Sequence, residues 1–353
     1  MKNLIRFFVA ALCLVSNSLL AVDNHTLRLA QSWDSDMPIF ADTTRNFAKM
    51  VSLMSDGRLQ INIVPASNHQ KPYGIFDMVK SGQYDMGHSA SYYWKDQVPN
   101  TLFFTTMPFG MIASEQYAWF YHGGGMELMD KVYSPHNLMS FPGGNTGNQM
   151  GGWFRKKITS VKDLEGLKMR VPGFAGEIFK QLGADVVDNI SSAELYDAFA
   201  SKKLDAVEWV GPAMDRDMGL HKVAPYYYTG WHEPAAELQF LINKQVMKKL
   251  PKDLQEILII AMRTAAYDMY VQSTYENGKS WRLITDAFPK IQVLSFPPAV
   301  MSKLRGTNTI LLNGMAKKDR LAAKIIKSQN RYLKSVRKWT NLAERAHIRN
   351  TQQ

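Results

Sequence analysis

The amino-acid sequence predicts an α/β protein of two lobes with a cleft between them. The chain has 353 residues, which is enough for about two domains. Both halves repeat one order of elements, in which a helix ends at a glycine and a short apolar strand follows. Sheets of this kind bind ligands at the carboxyl ends of their strands, so the cleft is where we expect the functional site.

The first lobe is predicted mainly from residues 22–145. Hydrophobic periodicity there indicates alternating strands and helices, and Gly57 and Gly82 stop the two helices. The predicted elements are a strand at 25–30, a helix at 39–55, a strand at 59–65, a helix at 73–81 and a strand at 84–89. This order requires crossover connections between parallel strands.

The second lobe is predicted mainly from residues 146–235, and residues 236–314 are expected to supply shared helices and strands that return between the lobes. The same rhythm of helix, glycine and strand supports this division. The predicted elements are strands at 168–171 and 204–210, helices at 176–182 and 193–201, and a long helix at 251–274.

Most of the net charge of +11 lies in the last segment, residues 315–353, because residues 22–314 are neutral as a whole. Apolar side chains recur there at helical spacing, which predicts one basic amphipathic helix with Tyr332 and Trp339 on its buried side. Three interpretations stay open: a helix docked on the body, an oligomer contact such as a homodimer, and an anionic-surface binder. We favour the first two because the apolar side needs burial.

The first residues predict a secretory signal peptide over 1–21. Lys2 and Arg6 precede an apolar run that ends at Leu20, and cleavage is expected near Ala21. This run is short for a membrane span, and a retained anchor is the alternative. Cys13 is the only cysteine, so the mature chain would hold no disulfide and no thiolate metal site. We therefore expect a periplasmic protein, without nucleic acid as a partner.

Signals for catalysis are poor, whereas two charged residues in apolar strands indicate binding. The sequence has no Gly-x-Ser-x-Gly, His-Glu-x-x-His or Gly-Lys-Ser/Thr motif. Arg170 ends a predicted strand, and its guanidinium suits either a bound carboxylate or a salt bridge between the lobes. Glu208 lies in an apolar strand and needs a counter-charge, which could be an arginine or a hard cation held with Gln149. Pairing with an arginine is the commoner arrangement.

Four segments resemble the extracytoplasmic solute receptors of tripartite ATP-independent periplasmic (TRAP) transporters, of the DctP type, and especially the branch that binds 2-oxo acids. The segments are Gly147-Asn-Gln-Met-Gly-Gly-Trp-Phe154, Asp163-Leu-Glu-Gly-Leu-Lys-Met-Arg-Val-Pro-Gly173, Asp205-Ala-Val-Glu-Trp-Val-Gly-Pro212 and Gly230-Trp-His-Glu-Pro234. The resemblance implies a two-lobed receptor with long C-terminal helices that closes on a small organic acid anion, such as pyruvate. It also implies delivery of that anion to TRAP membrane permease subunits, without catalysis.

The resemblance also implies a role for individual residues. Arg170 matches the arginine that clamps the substrate carboxylate. A bridging Na⁺ is expected, with Ca²⁺ as an alternative because the donors are all oxygens. The implied cation ligands are Gln149, Glu208, the backbone carbonyl of Trp209 and, near them, Glu233. The implied substrate contacts from the first lobe are Trp33, Tyr92 and Tyr93.

Two other functions are compatible with parts of the sequence. A secreted metal-assisted hydrolase or lyase would use Glu208 and Glu233 as its working carboxylates. A receptor that senses its ligand for a regulatory partner would share the binding site and differ in what it contacts. The sequence favours the transport receptor because its four motifs are more specific than any enzyme signal.

Overall fold

The computed structural model describes residues 23–188 and 190–352, so the predicted signal peptide lies outside the described residues. Within this part of the chain the eleven strands are β1 (His25–Gln31), β2 (Leu59–Val64), β3 (Met86–Ala90), β4 (Leu138–Asn145), β5 (Gly152–Phe154), β6 (Lys168–Arg170), β7 (Asp185–Val187), β8 (Ala206–Val207), β9 (Tyr226–Tyr228), β10 (Glu237–Asn243) and β11 (Gln292–Leu294).

Helices cover both sheets and make up the C-terminal part of the chain. The described α-helices are α1 (Phe40–Met54), α2 (Ala66–His69), α3 (Ile75–Lys80), α4 (Leu102–Thr105), α5 (Ala113–His122), α6 (Gly125–Tyr133), α7 (Gly173–Gln181), α8 (Ser192–Ala200), α9 (Pro212–Asp217), α10 (Lys244–Lys249), α11 (Lys252–Ala287), α12 (Pro298–Lys318), α13 (Arg320–Leu342) and α14 (Glu344–Thr351). None of the helices described is both long and apolar enough to cross a membrane.

Each lobe is built on its own mixed sheet, which confirms the two-lobed α/β fold class. The first sheet has the strand order β2-β1-β3-β10-β4, and β10 runs antiparallel to both of its neighbours. The second sheet has the order β11-β9-β5-β8-β6-β7, in which β6 is parallel to β7 and β8. Strand β10 follows lobe 2 in sequence yet completes the sheet of lobe 1, so the chain crosses between the lobes more than once.

Two extended segments connect the lobes side by side. They follow β4 and precede β10, and they are joined by backbone hydrogen bonds from Thr146 to Ala236 (3.1 Å) and from Gln149 to Glu233 (2.9 Å). Helix α11 packs along β4 beside them. Gly144 (φ +135°) permits this contact, because a Cβ there would lie 2.1 Å from the sulfur of Met269. The two connecting segments are therefore closely packed against each other and lie beside α11.

The C-terminal segment differs from the prediction of one helix over 315–353. The chain breaks at Asp319, whose side chain caps α13 by accepting from the Ala322 N–H (2.7 Å), and again at Ala343. Tyr332 packs partly against the core of lobe 1. The expectation that Trp339 is buried is wrong, because its side chain is 67% exposed. Lobe 1 also contacts the last turns of α13, where buried Thr340 donates to Glu115 Oε1 (2.6 Å), so Trp339 lies beside the covered face and not within it.

Two other boundaries differ from the sequence prediction. The strand predicted at 204–210 is only the two residues of β8; the Glu208 N–H still donates to the Arg170 carbonyl (3.0 Å), and the chain leaves the sheet after it. The long helix predicted at 251–274 continues to Ala287 as α11. Its added turns pack against lobe 2 through Ile284, which is buried.

Candidate functional site

The carboxyl ends of two neighbouring parallel strands bring Arg170 and Glu208 together. Arg170 is the last residue of β6 and lies opposite Val207, the last residue of β8, so Glu208 follows directly. Each of these two charged residues is only 1% exposed. Because parallel strands end at one edge of the sheet, both functional groups face the same region of lobe 2.

The guanidinium of Arg170 is paired but retains an unused donor. Its Nη1 donates to the Glu208 carbonyl oxygen (2.8 Å) and lies 3.4 Å from Glu208 Oε2. The Cζ atom lies 5.1 Å from the ring centroid of Trp209, a cation–π distance. The buried Nε of Arg170 has no hydrogen-bond partner. Both paired residues belong to lobe 2, so a salt bridge between the lobes is not what Arg170 forms here.

Three buried oxygen atoms near this pair also have no hydrogen-bond partner. They are Gln149 Oε1, Glu208 Oε1 and Glu233 Oε2. The amide of Gln149 is held by its own Nε2, which donates to Thr146 Oγ1 (3.0 Å). His232 Nε2 lies 3.3 Å from Glu208 Oε1, but the two are not aligned for a hydrogen bond. Unpaired buried oxygens are costly, so a cluster of three suggests that a bound group completes them.

Burial governs the protonation of the two carboxyl groups in this cluster. Burial raises the pKa of Glu208 to about 8, although the Arg170 charge opposes the rise. Burial and the Glu208 charge raise the pKa of Glu233 to about 8. A nearby cation favours the ionised form of a carboxyl group. The two groups are therefore arranged to carry full negative charge only with a positive partner.

The donor set fits a hard cation such as Na⁺ or Ca²⁺. Both ions prefer carboxylate, amide and carbonyl oxygens, which are the atom types left unpaired here. Among the described residues, no group of three His, Cys, Asp or Glu side chains lies close enough to hold a metal alone. A cation at this place would therefore also need the Gln149 amide, a backbone carbonyl such as that of Trp209, and oxygens of a second ligand.

Aromatic residues of lobe 1 form the opposite wall. A cavity of about 170 Å³ lies between the lobes and is lined by Trp33, Tyr73 and Tyr93 from lobe 1 and by Ser191 and Trp209 from lobe 2, among others. Trp209 joins this cavity to the charged cluster, because its ring also contacts the Arg170 guanidinium.

The side chains of this wall are held from behind. Trp33 Nε1 donates to His88 Nδ1 (3.0 Å), and His88 Nε2 in turn donates to the Gly143 carbonyl (2.9 Å). Burial lowers the pKa of His88 to about 4, so its ring is neutral and can accept from Trp33. Tyr92 and Tyr93 follow β3 in a 3₁₀ turn, and burial raises the pKa of both phenols. The wall is thus rigid and uncharged.

The two lobes are closed on each other around this site. The Tyr73 hydroxyl donates to the Ile190 carbonyl of lobe 2 (3.0 Å), and the Tyr73 ring packs on Tyr93. Lys95 Nζ of lobe 1 lies 3.2 Å from Glu177 and 3.7 Å from Asp188 of lobe 2. These contacts exist only when the lobes meet.

Of the residues that the sequence assigned to the site, the structure places Trp33, Tyr93 and Trp209 on the cavity wall, with Tyr92 packed against Tyr93. It buries Gln149, Arg170, Glu208 and Glu233, which do not line the cavity. Sequence reasoning missed Tyr73, His88 and His232. His232 could have been found beside Glu233 in the Trp-His-Glu-Pro segment. Tyr73 and His88 carry no local signal, because each acts through a partner more than fifty residues away in the chain.

Comparisons with known proteins agree with this architecture. Residues 29–319 match the family model described as bacterial extracellular solute-binding protein, family 7 (DctP). The chain is 35% identical over 318 residues to a monocarboxylate 2-oxoacid-binding periplasmic protein of Nostoc sp., covering 90% of this chain and 86% of that protein.

Two solved structures are closely similar. One is a TRAP periplasmic solute-binding protein from Colwellia psychrerythraea with bound calcium and pyruvate, 57% identical with a TM-score of 0.91 over 93% of this chain and 99% of that one. The other is a TRAP periplasmic solute-binding protein from Pseudoalteromonas atlantica with bound sodium and pyruvate, 56% identical with a TM-score of 0.91 over 93% of this chain and all of that one (100%).

Proposed function

This chain belongs to family 7 of the bacterial extracellular solute-binding proteins, the DctP family, and on that premise we propose that it binds pyruvate or a closely related 2-oxo or 2-hydroxy monocarboxylate together with a cation. It is a solute receptor of the TRAP type. The observation that carries the proposal is the buried cluster of unpaired oxygens beside a partly free arginine, in a crevice between two closed lobes. The ligands bound by its two close structural relatives have the matching chemistry.

Arg170 would hold the ligand carboxylate. Its Nε is buried and unpaired, and a guanidinium binds a carboxylate through two N–H groups at once. Glu208 already accepts from Nη1, which fixes the orientation of the guanidinium before the ligand arrives. The Trp209 ring supports the same guanidinium from one face.

Gln149, Glu208, Glu233 and the Trp209 carbonyl would hold the cation. When bound, Na⁺ or Ca²⁺ would supply positive charge that offsets the two carboxylates and the ligand anion. Glu208 would then contact the cation with one oxygen and Arg170 with the other. This shared use of Glu208 makes cation binding and anion binding mutually favourable.

Closure of the lobes would exclude water from the ligand. Tyr73, Tyr93 and Trp33 bring an apolar wall against it, and contacts between charges are stronger where water is excluded. Bonds across the crevice stabilise the closed form. A ligand that contacts both lobes would bind this form more tightly than the open form and would therefore raise its population. The small, aromatic cavity favours short monocarboxylates.

Delivery of the bound acid to the membrane permease subunits of a TRAP transporter follows from the receptor role. We propose that residues 1–21 direct the protein to the periplasm and are then removed by cleavage near Ala21. We propose no enzymatic activity, because the family comprises binding proteins.

Isothermal titration with pyruvate tests the proposal. The exported protein should bind pyruvate tightly in sodium or calcium and weakly after chelation and replacement of sodium by choline. Arg170→Met should weaken binding by about 30-fold or more, the scale for losing one partner of a buried charge pair. The matched control is Arg337→Met, which also removes an arginine paired with a buried glutamate, Glu115. Neither residue lines the cavity, so this variant should bind pyruvate with unchanged affinity.

Two results would contradict the proposal. One is an unchanged affinity in Arg170→Met, and the other is consumption of pyruvate during long incubation with the wild-type protein. The second would favour the hydrolase or lyase alternative.

A further inference from the structure

Helix α13 presents two different faces. One face is fixed to lobe 1, where Ala322, Ile325 and Ile326 join the apolar core. Farther along, Arg337 donates to both carboxylate oxygens of buried Glu115 (2.9 and 2.7 Å). The helix therefore cannot rotate about its axis, and the opposite face is a fixed surface of the molecule.

That opposite face is uniformly basic. Six exposed cations, which we call the basic stripe, lie within an arc of about 80° and extend about 27 Å along the helix. They are Arg320, Lys324, Lys327, Arg331, Lys334 and Lys338. Among the described residues, none of the six has a carboxylate within salt-bridge distance. A stripe without counter-charges is available to an anionic partner.

Apolar side chains project at the C-terminal end of this stripe. Trp339, Leu342 and Ile348, which we call the apolar tip, are 67%, 78% and 54% exposed. The other seven tryptophans, all within the described residues, are buried or half-buried. An exposed tryptophan flanked by lysines and arginines is typical of side chains that enter the boundary between headgroups and acyl chains.

We propose that the basic stripe and the apolar tip bind a bilayer surface that contains anionic phospholipid. The stripe is straight and of one sign, which suits a planar surface of distributed negative charge. Two copies that met stripe to stripe would repel each other, and the rest of a second copy is neutral as a whole. The inference does not depend on which acid the crevice holds, since none of these residues belongs to the crevice. Such a surface would keep the receptor close to the membrane in which permease subunits lie.

Vesicle flotation tests this surface. The exported protein, with its N-terminus checked by mass spectrometry, should float with phosphatidylcholine vesicles containing about 30% phosphatidylglycerol and not with pure phosphatidylcholine. Raising sodium chloride from about 0.05 M to about 0.5 M should release it, because salt screens the attraction. Binding to both vesicle types alike, or to neither at low salt, would overturn the proposal.

Matched variants assign the effect to the stripe. Lys324→Gln, Lys327→Gln, Arg331→Gln and Lys334→Gln combined should lower partitioning at least about tenfold. The control combines Lys131→Gln, Lys156→Gln, Lys202→Gln and Lys248→Gln, which removes four exposed charges from the body. An equal loss in the control would show that net charge alone is responsible, and the proposal would fail.

The apolar tip has its own control. Trp339→Ala should lower partitioning by about threefold to tenfold, whereas Tyr275→Ala, equally exposed at 67%, should not. Pyruvate titration should give wild-type affinity in every stripe and tip variant. A failure of the membrane-binding proposal can therefore be distinguished from a failure of the proposed pyruvate binding. Binding only to membranes that contain permease subunits would overturn the lipid assignment in favour of an acidic protein surface.

Discussion

Two pairs of buried carboxyl groups in this molecule are equally hidden from solvent and differently supported. The framework pair is Asp215 and Glu237. Asp215 accepts from Trp153 Nε1 (2.9 Å), the Tyr227 hydroxyl (2.7 Å) and the Val210 N–H (3.1 Å). Glu237 accepts from the Gly144 N–H and the Asn145 side chain, both at 2.9 Å.

The crevice pair, Glu208 and Glu233, lacks such support. Each leaves one buried oxygen without a donor, and the Gln149 oxygen beside them is also unpaired. Burial raises the pKa of all four groups, to about 8 in the crevice pair and about 7 in the framework pair. The pKa values therefore do not separate the pairs, whereas the hydrogen-bond donors do. Carboxylates satisfied by the protein stabilise the fold, and we propose that those left unsatisfied hold the cation.

The largest expected effect comes from exchanging one member of each pair for its amide. Glu208→Gln should weaken cation-dependent pyruvate binding by about 30-fold or more, because a charge needed by both ligands is lost. Its free energy of unfolding without ligand should rise at neutral pH, because the buried amide avoids the cost of ionising or protonating Glu208 on folding. Asp215→Asn should lower the free energy of unfolding by about 2 kcal/mol, because three donors then face a poorer acceptor. Titration calorimetry measures the pyruvate affinity, and urea unfolding measures the free energy of unfolding.

Equal effects of the two substitutions would contradict this contrast between the pairs. If Asp215→Asn weakened pyruvate binding as much as Glu208→Gln while both lowered stability equally, the two pairs would not differ in function. The division into framework and crevice groups would then have to be abandoned.

An intermediate effect is expected in the pH dependence of stability. With a pKa near 8 in the folded protein and an ordinary value of 4.5, Glu208 and Glu233 bind more protons when folded than when unfolded. Stability of the ligand-free protein should therefore fall as pH rises from about 4.5 to about 8. Saturating pyruvate and sodium should reduce this slope, and so should Glu208→Gln. Thermal unfolding across the pH range measures it, and a slope unaffected by ligand would contradict the crevice assignment.

The smallest expected effect concerns a single bond across the crevice. Tyr73→Phe removes the donor to the Ile190 carbonyl and keeps the ring packed on Tyr93. Pyruvate affinity should fall about twofold to tenfold, the value of one neutral hydrogen bond. Tyr117→Phe is the control, since its hydroxyl donates to the Ala266 carbonyl (2.8 Å) away from the crevice. An equal loss of affinity in both variants would argue against a bond that acts through closure.

The sequence alone predicted the fold class and singled out Arg170 and Glu208, which the structure places side by side. Local rules explain why. Alternating apolar residues and stopping glycines are short-range signals, so helices and strands such as α1 and β2 were predicted to within a few residues. Arg170 and Glu208 were recognisable because a charge inside an apolar strand always needs a partner.

Only the tertiary structure decided how these parts meet. The sequence carries no signal that β10 inserts beside β3, or that Tyr73 reaches Ile190, because such pairings depend on surfaces far apart in the chain. The helical period of the last segment showed which side chains share a face, but not how wide a part of that face lobe 1 would cover. Trp339 is exposed for that reason: periodicity determines the direction of a side chain, and packing determines whether anything lies in front of it.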